Sequence, residues 1–243
     1  MCGIVGYVGQ KQALEVVVAG LRRLEYRGYD SAGVAVIADG TLAVRKRAGK
    51  LVNLETLLGS DPMPDSTTGI GHTRWATHGG PTDRNAHPHV SEDGRVAVIH
   101  NGIIENFLPL KRRLQADGWR FATDTDTEVI ANLVSSYYTS DLAAAVQRAV
   151  GELEGMYACA LIATGSTVGD GEVVVAVRQG TPLVLGLGKG ESFLASDPAA
   201  LIAHTKDVMF LENGDIARLT PSGVEMRDRD GKTVERPVHR LHW

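Results

Sequence analysis

Met1-Cys2-Gly3-Ile4-Val5-Gly6 opens the chain. The apolar run Gly3–Val8, closed by Gly9, reads as a buried strand. The side chain after Met1 is small, which favours removal of the initiator methionine and leaves Cys2 as the N-terminal residue. One residue then carries a nucleophile and a base, its thiol and its own α-amine. An α-amine titrates near ~7.7–8.0, so a useful fraction accepts a proton at neutral pH. A thiol beside such a base is an activated nucleophile. A lone cysteine at position 2 is a weak signal, and its meaning rests on the remainder of the chain.

The 243 residues are 43% hydrophobic, which suits one large domain or two small ones with an ample core. The net charge of −4 is mixed rather than blocked and gives no field that would draw nucleic acid or an anionic membrane. Arg45-Lys46-Arg47 and Lys111-Arg112-Arg113 read as solvated faces of a strand and a helix. Cys2 and Cys159 are too few for a secreted disulfide scaffold. The N-terminus lacks a basic region followed by a long apolar run, and no stretch is long enough to span a membrane. A cytoplasmic location is expected, where a thiolate stays reduced.

Beyond the first strand, Leu14, Val17, Val18, Leu21 and Leu24 follow a helical spacing that stops near Gly28. Gly33–Ala38 and Thr41–Ala48 read as a hairpin around Asp39-Gly40. Leu51–Leu58 reads as a short helix and Gly59–Thr68 as a surface loop. Gly69–His72 and Val96–His100 are expected strands separated by a long polar segment. Asn106 is placed to cap a helix reaching Asp117. Thr125-Asp126-Thr127-Glu128 fits a capping box before a further helix, and Asp141 caps another that reaches Leu153. The final third reads as strands: Met156–Ala163, Glu172–Arg178, Leu183–Leu187, Phe193–Ser196, Val208–Leu211, Asp215–Leu219 and Val224–Arg227. Strands and helices do not alternate, so the expected class is α+β, two antiparallel sheets covered by helices.

The densest chemistry is Gly71-His72-Thr73-Arg74-Trp75-Ala76-Thr77-His78-Gly79. The planar fork of Arg74 suits bidentate grip of a carboxylate, with Thr77 and His78 adding hydrogen bonds. Alternatively Arg74 is a surface ion pair and Trp75 a core anchor. Asn101-Gly102 is a hairpin-turn pair, but the following residues lead toward a helix. An Asn amide beside a Gly N–H can form an oxyanion hole. Asp126, in the first turn of a helix, could hold an ammonium group or serve only the helix dipole; Asp124 is a second candidate. His72, His78, His87, His89 and His100 raise the question of a metal site, yet no helical His pair or CxxC accompanies them. Gly186-Leu187-Gly188-Lys189-Gly190 lacks P-loop spacing and reads as a turn. Cys159 reads as an inert core thiol.

Taken together, these stretches resemble the class II (N-terminal nucleophile) glutamine amidotransferase domains of the glucosamine-6-phosphate synthase family. The matching segments are MCGIVGYVG at 1–9, LRRLEYRGYDSAG at 21–33, GHTRWATHG at 71–79, NAHPHVS at 85–91, HNGIIEN at 100–106 and TDTEVIANL at 125–133. QGTPLVLGLGKGESFLASD at 179–197 and FLENGDIA at 210–217 extend the match, so that it covers essentially all 243 residues.

The resemblance implies a four-layer αββα N-terminal nucleophile hydrolase sandwich and a single glutaminase domain spanning residues 1–243, without the C-terminal sugar isomerase module. Cys2 would attack the amide of L-glutamine with its α-amine as base, and Asn101 and Gly102 would form the oxyanion hole. Arg74, Thr77 and His78 would bind the α-carboxylate. Asp126 would hold the α-ammonium, which demotes Asp124. Trp75 resembles a residue that gates ammonia, Arg27 a support for the nucleophile, and His87 a loop residue near the sugar phosphate of the partner site. No cofactor or metal is implied. The implied partner is a fructose-6-phosphate-binding isomerase domain, in a full-length enzyme expected to be a homo-oligomer. Three other readings remain. One is the glutaminase domain of amidophosphoribosyltransferase or another class II amidotransferase, although Trp75, Thr77 and His78 favour the hexosamine enzymes. The others are a binding module with a dead site and a metal-dependent hydrolase.

Overall fold

The computed structural model describes residues 2–168 and 171–241. Its first half contains β1 (Gly3–Val8), α1 (Ala13–Arg23), β2 (Ser31–Ala38), β3 (Thr41–Ala48), α2 (Leu51–Ser60), β4 (Thr68–Arg74), β5 (His89–Val90) and β6 (Val96–Ile104). Helices α3 (Phe107–Ala116), α4 (Thr127–Tyr137) and α5 (Leu142–Val150) follow. Next come β7 (Gly155–Ala163), β8 (Thr167–Val168), β9 (Gly171–Glu172), β10 (Val174–Gln179), β11 (Val184–Gly188) and β12 (Glu191–Ala195). The last strands are β13 (Asp207–Phe210), β14 (Ile216–Thr220), β15 (Gly223–Arg227) and β16 (His239–Arg240).

The strands form an eight-stranded sheet ordered β16-β13-β11-β12-β1-β4-β2-β3 and a six-stranded sheet ordered β15-β14-β10-β7-β6-β5, with β8 and β9 as a small ribbon. Three apolar cores glue four layers together. Val5, Tyr7, Val17, Leu21, Val34, Leu51 and Leu54 join the first sheet to α1 and α2. Ile4, Val8, Ile70, Ala97, Ile99, Ala160 and Leu194 fill the space between the sheets. Val98, Leu110, Leu114, Val129, Leu133 and Leu161 join the second sheet to α3, α4 and α5. The expected αββα sandwich is therefore the observed one. Among the described residues no helix is long and apolar enough to cross a membrane.

Strand alternation decides what reaches the end of the slab. β1 lies inside its sheet, antiparallel to β12 (Val5 opposite Ala195) and to β4 (Ile4 opposite His72). Ile4 and Val8 point between the sheets, and Cys2 continues that row. Ile70, His72 and Arg74 share the same inner face of β4, and Ile99 and Asn101 that of β6. At one end the apolar rows give way to Cys2, His72, Arg74 and Asn101.

Several local expectations are corrected. β6 runs through Asn101 and Gly102 to Ile104, paired with β7 throughout, so Asn101-Gly102 is no turn. The capping box is not formed: α4 starts at Thr127, and the Glu128 carboxylate accepts from Ala122 N and Thr123 N, each at 2.8 Å. Asn106 precedes α3 without capping it; its amide ties Glu152 O (2.8 Å) and Glu154 N (3.0 Å). Asp141 does cap α5, which ends at Val150 rather than Leu153. The strand expected over Glu172–Arg178 is split between β9 and β10. Lys46 is not solvated. Its ammonium donates to the carbonyls of Arg84 (3.1 Å), Ala86 (2.8 Å) and Pro88 (3.1 Å), and burial pushes its pKa down to about 8. The Asp39-Gly40 hairpin is as expected, with both residues at positive φ (50° and 71°), as a type I′ turn requires.

Candidate active site

Cys2 sits where β1 begins and β4 ends. Its Sγ accepts from Trp75 N at 3.2 Å and faces Trp75 O at 3.7 Å. Burial raises the thiol pKa, opposed by the Trp75 N–H and the nearby Arg74 charge. A thiol so placed stays protonated at neutral pH and needs a base to become a nucleophile.

Two cavities meet at Cys2. The smaller, about 210 Å³, is lined by Cys2, Arg74, Trp75, Thr77, His87, His100, Gly102, Ile103, Asp126 and Thr127. The larger, about 540 Å³, opens over Cys2, Arg27, Trp75, Thr77, Asn101, Gly102, Thr181, Pro182 and Ser196. Volumes of this order suit a small ligand in an inner pocket with a wider mouth.

Arg74 is 3% exposed at the inner cavity. Its guanidinium donates to the carbonyls of His78, Gly79 (3.3 Å) and Gly80 (3.2 Å), which fix its plane. The loop that supplies them is tied back by Asp30, whose carboxylate accepts from Ala76 N at 2.8 Å. Asp126, across the cavity, is 4% exposed. One of its carboxylate oxygens accepts from Ile104 N at 2.9 Å, which locks the end of β6 to the start of α4. A cation and an anion thus border one small cavity with a thiol at its end. That arrangement can hold a zwitterion by both termini and present its side chain to the thiol.

Asn101 donates through Nδ2 to the Cys2 carbonyl at 3.1 Å. Gly102 has φ 113°, and a Cβ there would lie 2.1 Å from Met156 O. The backbone beside Cys2 therefore needs glycine. Gly102→Ala is expected to lower the melting temperature by roughly 2–12 °C, since strain of ~1–3 kcal/mol enters a paired strand. A thermal melt within 1 °C of the parent, taking ~1 °C as no strain at all, would remove that requirement.

The remaining expected residues fall in different places. Thr77 and Trp75 are exposed and line both cavities, so Trp75 (56% exposed) is no core anchor. Arg27 lines the larger cavity and donates to Ser196 Oγ at 3.1 Å. Ser196 Oγ also accepts from Ile4 N at 3.0 Å, which pins the strand behind the nucleophile. The His78 imidazole rests on Phe107 (ring centroids 5.3 Å apart) and lines neither cavity; it serves Arg74 through its carbonyl. His87 lies in the loop before β5, 4% exposed; it lines the smaller cavity, and burial drives its pKa well down. Asp124 is an exposed partner of Arg84 at 2.9 Å. Cys159 is buried in a core, and burial raises its thiol pKa.

The histidine cluster is a hydrogen-bonded network. His72 Nδ1 meets His87 Nδ1 at 2.9 Å, and His87 Nε2 and His100 Nδ1 each meet Thr127 Oγ1 at 2.9 Å. His89 Nε2 meets Thr125 Oγ1 at 3.1 Å. Among the described residues no three His, Cys, Asp or Glu side chains are grouped to hold a metal ion. Sequence reading missed Asp30, Thr127 and Ser196 as supports. Only the period-2 placement of His72 beside Arg74, and of Asn101 opposite, could have singled out a pair meeting between sheets.

A family model described as a glutamine amidotransferase domain matches residues 59–242. Glutamine–fructose-6-phosphate aminotransferases [isomerizing] are similar over the full length of the chain. The Streptomyces coelicolor protein is 55% identical and the Thermus thermophilus protein 53%, and the chain covers 39% of each. The Aquifex aeolicus protein is 52% identical, with 40% covered. The chain thus spans about two fifths of the length of these curated relatives. Among solved structures, a glutamine phosphoribosylpyrophosphate amidotransferase from B. subtilis, complexed with ADP and GMP, superposes with a TM-score of 0.79. The match is 25% identical and covers 94% of this chain and 49% of that one.

Proposed function

Because the chain belongs to the glutamine amidotransferase domain family, we propose that Cys2 hydrolyses the side-chain amide of L-glutamine through a thioester. The observation that carries this reading is the 210 Å³ cavity bordered by Cys2, Arg74, Gly102 and Asp126. It suits an α-amino acid whose side chain ends in an electrophile. With Met1 removed, the α-amine of Cys2 takes the thiol proton and the thiolate attacks the amide carbon. Negative charge on the former carbonyl oxygen is met by the Asn101 amide and the Gly102 N–H. The α-ammonium returns its proton to the leaving nitrogen, and ammonia departs. Water, deprotonated by the same amine, then cleaves the thioester to glutamate and regenerates the thiol.

The similarity to glutamine–fructose-6-phosphate aminotransferases at 52–55% identity supports a further step. In the full-length enzyme the ammonia would pass to a C-terminal isomerase domain that converts fructose 6-phosphate to glucosamine 6-phosphate. The larger cavity, rimmed by Trp75, Arg27, Thr181 and Pro182, is the side from which ammonia would leave. The alternative glutaminase of an amidophosphoribosyltransferase is supported only by 25% identity.

The test pairs intact mass with a glutamine assay. The expected result is a mass lacking Met1 and release of glutamate from glutamine. Hydrolysis by a chain that keeps Met1 would refute the α-amine as base. Asp126→Asn probes the ammonium anchor, since asparagine can still accept from Ile104 N but carries no charge. KM for glutamine should rise about 10–100-fold, the worth of one charge-assisted contact, with kcat changed far less. An unchanged KM would move the ammonium site elsewhere.

A further inference from the structure

Asn101 is the one side chain in the oxyanion site, and a primary amide can be held in two opposite senses. It offers donors on one side and an acceptor on the other. Its neighbours determine which. The Cys2 carbonyl oxygen, 3.1 Å away, can only accept, so Nδ2 must face it. Oδ1 therefore faces His72 Nε2 at 2.9 Å, and that nitrogen must carry a hydrogen.

The same logic propagates inward. His72 is fully buried and its pKa is pushed down to about 3 by burial, so it is neutral and its Nδ1 is a bare lone pair. His87 Nδ1, 2.9 Å away, must then donate. His87 is also neutral, which leaves its Nε2 to accept from the Thr127 hydroxyl at 2.9 Å. That hydroxyl has spent its hydrogen and accepts from His100 Nδ1 at 2.9 Å. His100 Nε2 is left as a lone pair, and it is buried without a partner. The hydrogen positions from Cys2 to His100 follow from one backbone carbonyl together with the burial that keeps His72 and His87 neutral. Flipping Asn101 would set two acceptors against each other and reverse the whole chain of donors.

We infer that His72 is a positioning residue for the hydrolytic reaction: locked by His87 and Thr127, it holds the Asn101 amide with its donors toward the nucleophile. The inference rests on the reading of Asn101 as an oxyanion donor. It assigns His72 no contact with glutamine, so its loss acts on kcat rather than KM.

Nitrogen-15 spectroscopy of the imidazoles in the intact chain reads the tautomers directly. His72 is expected as the Nε2–H form, and His87 and His100 as Nδ1–H forms. A charged or Nδ1–H His72 overturns the inference. Kinetics supply the second arm. His72→Leu should lower kcat about 10–100-fold, a part of what an oxyanion donor is worth, with KM within about twofold. His72→Gln, whose amide can donate to Asn101 Oδ1, should recover at least about fivefold of that loss. An unchanged kcat in His72→Leu, or a loss that glutamine does not relieve, overturns the inference. Should His72→Leu fail to fold, Thr127→Val decides. It removes the hydroxyl that fixes His87 and should cost about 3–10-fold in kcat, and an unchanged kcat refutes the relay. The tautomers are read without turnover. A parent chain that fails to hydrolyse glutamine therefore refutes the functional reading and His72's part in catalysis, while the hydrogen-bond order is judged on its own.

Discussion

Cys2→Ala will lower glutamine hydrolysis on the order of 10⁴-fold or more, the usual consequence of deleting a covalent nucleophile. The fold will tolerate it. The Cys2 side chain is only partly buried, and its contacts are with the Trp75 backbone at the cavity wall. Alanine leaves the β1 pairing with β4 and β12 untouched. The measurement is glutamate release beside a thermal melt: activity should vanish while the melting temperature moves by no more than about 2–4 °C, the effect of ~1 kcal/mol in a domain of this size. Turnover within a hundredfold of the parent, a loss of only ~2.7 kcal/mol in barrier, would mean that another group carries the attack.

Arg74→Lys will raise KM for glutamine roughly 30–300-fold, or ~2–3.4 kcal/mol of binding, with kcat within about fivefold. The guanidinium is buried, and the carbonyls of His78, Gly79 and Gly80 already hold one N–H direction of each terminal nitrogen. The remaining N–H groups are oriented before any ligand arrives. A lysine ammonium is a compact charge that can satisfy the loop carbonyls or reach a carboxylate, without the second parallel hydrogen bond. Burial lowers the pKa of Arg74, yet an arginine stays charged at neutral pH, whereas a lysine there would be more readily neutralised. Steady-state kinetics over a range of glutamine concentrations checks this, and a KM shift below about threefold would place the carboxylate elsewhere.

The layers were legible because alternation is strong. Ile4 and Val8 against Val5 and Tyr7 already separate an inner face of β1 from an outer one. The same alternation would have corrected Lys46, which shares the inner parity of Leu42 and Val44, while Arg45 and Arg47 pair outward with Asp61 and Asp83. Charge type alone misread it. Local capping rules failed where distant partners offered better bonds. Glu128 closes the loop at Ala122 and Thr123, and Asn106 ties down Glu152 and Glu154.

In the site, Cys2, Arg74, Asn101, Gly102 and Asp126 could be named because each residue type matches one part of an amide-cleaving site. Among their supports Arg27 could be named, but not its partner, and the others could not. His72 finds Asn101 at a separation of 29 residues, His87 finds Thr127 at 40, and Arg27 finds Ser196 at 169. Nothing in a linear pattern records such pairings.

The place of β1 inside its sheet has a temporal consequence. β1 needs β12 on one flank and the Ser196 hydroxyl at Ile4, both translated about 190 residues after it. At ~5–20 residues per second, a ribosome takes about 10–40 s to reach them. Until then β1 has only part of its native neighbours. The order of translation thus leaves the strand that carries Cys2 incompletely paired until the last third of the sheet is made.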